Sequence, residues 1–224
     1  ATRDIAAALY RKDTYDFAKC LYVVAYQQDL HFRQWFKVVE LMGYDWAKDL
    51  IHVSFGMVSG TEGAFSTRKG NMVKLRDVLS AACDKTLEII REKSPDLEDK
   101  ETIAAQVGIG ALIWNSLYNG RIKDVVFDWD AVLNFDGETG PYAQYTHARA
   151  CSVLRKANCA PAGIDYSVLT DAESAAVIAA LGAFPDAVVE AMEKNEPYLV
   201  TRATMRICTA FNKFYYEQRI MADD

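Results

Sequence analysis

Apolar positions along this chain change their spacing at definite points. Leu21-Tyr22-Val23-Val24, inside residues 19–25, is a β-branched and aromatic run of strand length. Phe32, Trp35, Phe36, Val39 and Met42 then recur at three- and four-residue steps. That spacing predicts an amphipathic helix over 31–42, ending at Gly43. A second apolar run predicts a strand over 51–58. Strand, helix, strand in that order suits a parallel sheet with its helix packed on one face. Residues 1–8 are expected to start in mid-domain, without a folding start of their own.

Beyond residue 70 the period is helical almost throughout. Leu75, Val78, Leu79, Ala82, Leu87 and Ile90 predict a helix over 75–92, broken by Ser94-Pro95-Asp96. A second apolar helix follows over 103–117, with Gly108 and Gly110 allowing close packing, and ends at Asn119-Gly120. Residues 125–129 read as a short extended piece. Residues 135–141 (FDGETGP) are a turn-rich hinge, and helices are expected over 142–156, 172–184, 185–194 and 198–216. The resulting fold class is α/β followed by all-α: a partial parallel sheet, then a helical bundle from residue 136.

Composition narrows this picture only a little. Across 224 residues the formal charge is −6, unlike that of a simple basic nucleic-acid binder. A local basic surface is still compatible, because steering follows the distribution of charge and not its total. Cys20, Cys83, Cys151, Cys159 and Cys208 are odd in number, with no CxxC pair. They read as free thiols of a reducing cytoplasm and not as a disulfide frame or zinc site, and no metal site is expected. Every apolar run is short of 18 residues, so no membrane span is expected.

Three stretches carry candidate chemistry. Residues 52–71, HVSFGMVSGTEGAFSTRKGN, follow a strand and hold Ser66, Thr67, Arg68, Lys69 and Gly70. Cations, hydroxyls and flexible backbone beyond a sheet strand fit polyphosphate; a surface turn with two basic residues is the plainer reading. Residues 22–32, YVVAYQQDLHF, put Gln27, Gln28, Asp29 and His31 at the carboxyl edge of the sheet. On its own, His31 reads as a helix-start histidine bonded to backbone, Gln28 as a solvated loop residue and Asp4 as a surface carboxylate. Residues 124–149, DVVFDWDAVLNFDGETGPYAQYTHAR, turn into a helix carrying Tyr142, Gln144, Tyr145, His147 and Arg149. Unpaired bases stack on aromatics and phosphates pair with arginine; one of the two tyrosines is expected in the bundle core. The final helix adds Lys213 and Tyr216, off an aromatic stripe that is mainly core.

The STRKG loop resembles the KMSKS-type loop of class I aminoacyl-tRNA synthetases. Together with YVVAYQQDLHF and FDWD…LNFDGETGPYAQYTHAR, in that order, the chain resembles arginyl-tRNA synthetases from residue 1 to about 216. The resemblance implies a Rossmann-like half-domain followed by an anticodon-binding domain. Residues 1–92 would be the C-terminal half of the catalytic domain, 93–135 a helical connection contacting the tRNA stem, and 136–224 the anticodon-binding helical domain, truncated at its end.

It also implies roles. Ser66, Arg68 and Lys69 would hold the phosphates of ATP, with Thr67 where the usual loop has a lysine. Asp4 and Gln28 would bind L-arginine, since a guanidinium wants a carboxylate for paired hydrogen bonds. His31 would lie on the adenosine side. Tyr142, Gln144, Tyr145, His147, Arg149, Lys213 and Tyr216 would meet tRNA-Arg. The implied activity is ATP-dependent arginine activation with Mg²⁺, then transfer to tRNA-Arg, in a cytoplasmic and monomeric parent enzyme.

No HIGH-like motif follows His31, His52 or His147, so this polypeptide alone is expected to be a fragment without activity. Its open sheet is expected to drive self-association. The alternatives are a non-catalytic tRNA-binding module of the same family, or a class I synthetase for cysteine, against which the lack of a Cys/His zinc set counts.

Overall fold

The computed structural model describes residues 1–60, 74–134, 137–158 and 165–220, with the backbone alone at 63–64. Its chain divides into two compact units. Unit 1 is Ala1–Ser59 with Arg121–Val125, and unit 2 is Gly60–Gly120 with Val126–Asp224.

Unit 1 opens with helix α1 (Thr2–Tyr15), which was not expected. Its chain turns out at Asp16, in a left-handed conformation with φ 42°, beside the Lys12 ammonium at 2.7 Å. Strand β1 (Cys20–Ala25) and strand β2 (Leu50–Phe55) pair in parallel, from Cys20 opposite Leu50 to Ala25 opposite Phe55. Helix α2 (Asp29–Leu41) connects them and buries Phe32, Trp35 and Val39. These three join Ala8, Ala47 and Leu50 in the core, with Tyr22, Val24, Phe36 and Trp46 packed around them. Tyr22 meets Trp35 edge-on at 5.2 Å, the arrangement aromatic quadrupoles prefer. The strand–helix–strand unit read from the sequence is therefore present. Its outward face is bare: Leu21 and Val23 stand 47% and 64% exposed.

The expected strand over 51–58 stops at Phe55. Gly56 donates its N–H to the Arg121 carbonyl at 2.7 Å, and Val125 donates to the Met57 carbonyl at 2.8 Å. Met57 N–H also meets Asp124 Oδ1 at 2.7 Å. Any β-carbon at Gly56 would overlap the Lys123 carbonyl, so only glycine admits this returning segment. Three further short strands are β3 (Val58–Gly60), β4 (Gly63–Ala64) and β5 (Val125–Phe127).

Unit 2 is helical. Helix α3 (Leu75–Lys93) lies against helix α4 (Lys100–Tyr118), and Ala82 and Thr86 of α3 face Gly108. Ala82, Ala111, Leu112, Val132 and Leu133 form its buried cluster, the last two in and just after the single turn α5 (Trp129–Val132). Helix α6 (Gly140–Ala157) starts on the Thr139 hydroxyl, which accepts from Tyr142 N–H at 3.3 Å, with Pro141 in its first turn.

Helices α7 (Ala172–Gly182) and α8 (Phe184–Lys194) divide beside Pro185, close to the expected point. Helix α9 (Tyr198–Glu217) packs against α4, α6, α7 and α8. The stretch Ala172–Lys194, with mean hydropathy 1.6, is long and apolar enough by composition to cross a membrane. α7 and α8 are divided by the single turn residue Ala183 and rest on α9, with Ile178, Leu181, Val189 and Met192 exposed.

Candidate functional site

In unit 1 the chain leaves β1 into a single 3₁₀ turn, Tyr26–Gln28, and enters α2 at Asp29. This is the carboxyl edge of a parallel pair, where such sheets bind ligands. Asp4 on α1 and His31 on α2 meet there, Oδ2 to Nε2, at 3.1 Å. Burial acts to raise the Asp4 carboxyl, and the hydrogen bond from His31 acts to lower it. Its other oxygen has no partner among the described residues, so a carboxylate with spare acceptor capacity faces this edge. Gln28 is exposed at the start of α2 and is not brought into contact with Asp4 or His31.

A second pair at this edge escaped the sequence reading. His52 on β2 points Nδ1 at Asp29 Oδ1, 3.1 Å away, and Nε2 at the Val24 carbonyl, 3.0 Å away. Both partners are acceptors, so a neutral ring satisfies only one of them. Phe32 stacks on this imidazole at 4.1 Å. The proximity of Asp29 and His52 comes from the register of β1 against β2, which residue spacing does not reveal. Ser66, Arg68 and Lys69 lie outside the described residues.

In unit 2 the residues expected on one face of α6 divide into different roles. Arg149 lies between Tyr145 and Tyr215, its guanidinium carbon 4.6 Å from each ring centroid. It donates to the Tyr145 hydroxyl at 2.8 Å and to Asn212 Oδ1 on α9. Asn212 in turn donates to the buried Thr146 hydroxyl at 2.7 Å. Gln144 donates to the Gln106 carbonyl of α4 at 3.4 Å. These two side chains bind α6 to its neighbours. Tyr145 is 53% exposed and His147 is exposed, its ring 3.5 Å from the Cys151 sulfur. Tyr142 is half-buried. On α9, Lys213 pairs with Glu173 at 3.2 Å, while Tyr216 is 85% exposed.

A groove of about 780 Å³ runs beside α9, lined by Tyr118, Glu138, Arg202, Arg206 and Lys213 among others. Arg202 lies over the Tyr198 ring at 4.9 Å and the Tyr118 ring at 5.7 Å. Burial, and then the Glu138 carboxylate, push the Tyr118 phenol up to about 12. The sequence offered one clue to this groove, the spacing of Arg202, Arg206 and Lys213 along one helix.

The family model for the catalytic domain of class I (R) tRNA synthetases matches residues 1–129, more than half of the chain. The chain belongs to that family. Residues 143–224 match the DALR anticodon-binding domain. Among individual proteins, the arginine–tRNA ligase of Clostridioides difficile is 56% identical over all 224 residues, which span 40% of that protein. That of Halothermothrix orenii is 55% identical, again with 40% of its length covered.

In three dimensions, the arginyl-tRNA synthetase of Thermus thermophilus superposes with a TM-score of 0.80 at 31% identity. The match covers 90% of this chain and 33% of that one. An arginyl-tRNA synthetase from Plasmodium falciparum, at 22% identity and TM-score 0.78, shares the fold, with 95% of this chain and 37% of that one covered. The chain thus spans about two-fifths of the length of the curated relatives it matches. The expected family and fold class, a class I catalytic region followed by a helical anticodon-binding domain, are both present.

Proposed function

We propose that this chain forms part of an arginine–tRNA ligase. The arginine carboxylate attacks the α-phosphorus of ATP, the bond to pyrophosphate breaks, and arginyl-adenylate forms. A terminal hydroxyl of tRNA-Arg then attacks the activated carbonyl and releases AMP. The observation that carries this reading is the order of two matched regions, a class I (R) catalytic domain and then an anticodon-binding domain.

Within it, Asp4 receives the arginine guanidinium, supported by its half-exposed carboxylate and free acceptor oxygen. Gln28 makes a further contact to arginine, and His31 steadies Asp4 while facing the adenosine side. Ser66, Arg68 and Lys69 bear on the phosphates of the ATP–Mg²⁺ complex. Cations held there stabilise charge that gathers on the leaving pyrophosphate. Residues 1–92, 93–135 and 136–224 serve as catalytic, connecting and anticodon-binding regions. The tRNA-facing set is Tyr142, Tyr145, His147, Lys213 and Tyr216, with Gln144 and Arg149 holding α6 in place behind them. The setting is cytoplasmic, in keeping with free Cys20, Cys83, Cys151 and Cys208.

Arginine-dependent exchange of pyrophosphate into ATP tests this reading. The complete gene product is expected to catalyse it. Asp4→Asn in that protein is expected to raise the KM for arginine at least about tenfold, the loss of one charge-assisted contact. The 224-residue chain alone is expected to be inactive, because it carries no HIGH-type motif. Exchange by the isolated chain would overturn that inactivity, and a complete protein indifferent to arginine would overturn the assignment itself.

A further inference from the structure

We propose that the groove beside α9 holds a stretch of RNA sugar-phosphate backbone, with Arg202, Arg206 and Lys213 contacting phosphates. This rests on the tRNA reading above and names where on unit 2 the strand runs.

The charge balance of the groove is opposite to that of the chain. Three cations and one carboxylate, Glu138, line it, in a protein of formal charge −6. The cations are also accessible. Arg206 is exposed and has no hydrogen-bond or ion-pair partner among the described residues. Arg202 is exposed and rests on two tyrosine rings, with no carboxylate against it among the described residues. A guanidinium stacked in this way keeps its fork of donors for a phosphate. Lys213, 65% exposed, has only the Glu173 carboxylate of a neighbouring helix.

Spacing identifies the kind of anion. Arg202, Arg206, Thr209 and Lys213 step by four, three and four residues, so they share one face of α9. At helical rise, Arg202 and Arg206 are about 6 Å apart along the axis, and Arg202 and Lys213 about 16 Å. One phosphate cannot bridge such a row, whereas successive phosphates of an extended strand can engage it. The exposed Thr209 hydroxyl lies between the cations as a neutral donor. Tyr118, stacked on Trp114 and lying under Arg202, backs the guanidinium from inside the groove. A row of cations along one groove is how proteins track the backbone of a single strand. On α6, by contrast, Arg149 and Gln144 are already engaged within the protein.

The test titrates the full chain with a fluorescein-labelled tRNA-Arg transcript over a series of salt concentrations. Wild type is expected to bind, with log K falling linearly in log[salt]. Arg206→Ala is expected to flatten that slope by roughly 0.7 to 0.9, as for one lost phosphate contact. Arg206→Lys keeps the slope and Arg206→Glu lowers affinity further. Lys213→Ala provides a second, independent loss. Lys194→Glu on α8, outside the groove, leaves the slope where it was. Circular-dichroism melts verify that each variant is folded. If wild type shows no salt-dependent binding, the tRNA reading falls and the groove with it. If wild type binds but Arg206→Ala and Lys213→Ala retain its slope and affinity, the groove alone is overturned.

Discussion

The guanidinium of Arg149 sits between two tyrosine rings and reaches Asn212 on α9, which holds Thr146 on α6 in turn. Its planar fork is what this site uses, and a lysine ammonium offers neither the stacking plane nor two directed donors. Arg149→Lys is therefore expected to lower unfolding free energy by about 1–3 kcal/mol. Urea unfolding followed by far-UV circular dichroism would read this as a lower midpoint with an unchanged slope. An unmoved midpoint would show that the fork is not structural. The sequence pointed to Arg149 for a different task, because arginine beside tyrosine on a helix fits RNA equally well. Its partner Asn212 lies 63 positions away, and no local spacing ties the two together. Asp4 and His31 likewise stood out one by one, and only the packing of α1 against α2 made them a pair.

At the scale of elements, periodicity located what depends on an apolar stripe. Helix α2 was visible because Phe32, Trp35 and Val39 are large and recur at helical spacing. Helix α1 was not, because its one fully buried residue is Ala8, with Ile5 at its side. Tertiary packing, not a marked pattern, holds it. The strand over 51–58 was read as continuous because nothing in it shows that Gly56 and Met57 pair with a segment more than sixty residues later.

The glycines of α4 were read as sites of close packing, and at Gly108 that is what occurs. A β-carbon there would lie 2.6 Å from the Ala82 carbonyl oxygen of α3. That oxygen is backbone and cannot rotate away, so α3 and α4 would have to separate. Gly108→Ala is expected to destabilise unit 2 by about 1–3 kcal/mol despite alanine's better helix propensity. Gly182→Ala meets open space and is the matched comparison. A thermal melt in which Gly108→Ala is the more stable of the two would contradict this packing account.

For the molecule as a whole, the family and the order of its regions were legible because several motifs fall in sequence over most of the chain. What was hidden is the path of the chain between units and the groove beside α9, both of which need contacts between residues far apart. The bare face of β1 belongs to this scale too. Leu21 and Val23 protrude from a two-stranded sheet, and such apolar surface with open strand edges favours pairing between copies. The isolated chain, 25.1 kDa, is expected to give a light-scattering mass that rises with concentration. Val23→Lys is expected to return it to that of a monomer. A constant monomer mass for wild type over the whole range would refute self-association through this face.

The returning segment Arg121–Val125 has a consequence for anyone who cuts the chain. The chain passes from one unit to the other after Ser59, after Gly120 and after Val125. A single nick after Ser59 would thus leave residues 1–59 gripping five residues that remain covalently part of the larger piece. Arg121 would still hold the Ser54 carbonyl, and Asp124 would still hold Met57 and Tyr26. The two fragments behave as bait and tethered peptide, and co-expressed halves split at this point have a built-in route to reassembly. A protease map that shows cleavage there would report an accessible bond and not a separable domain.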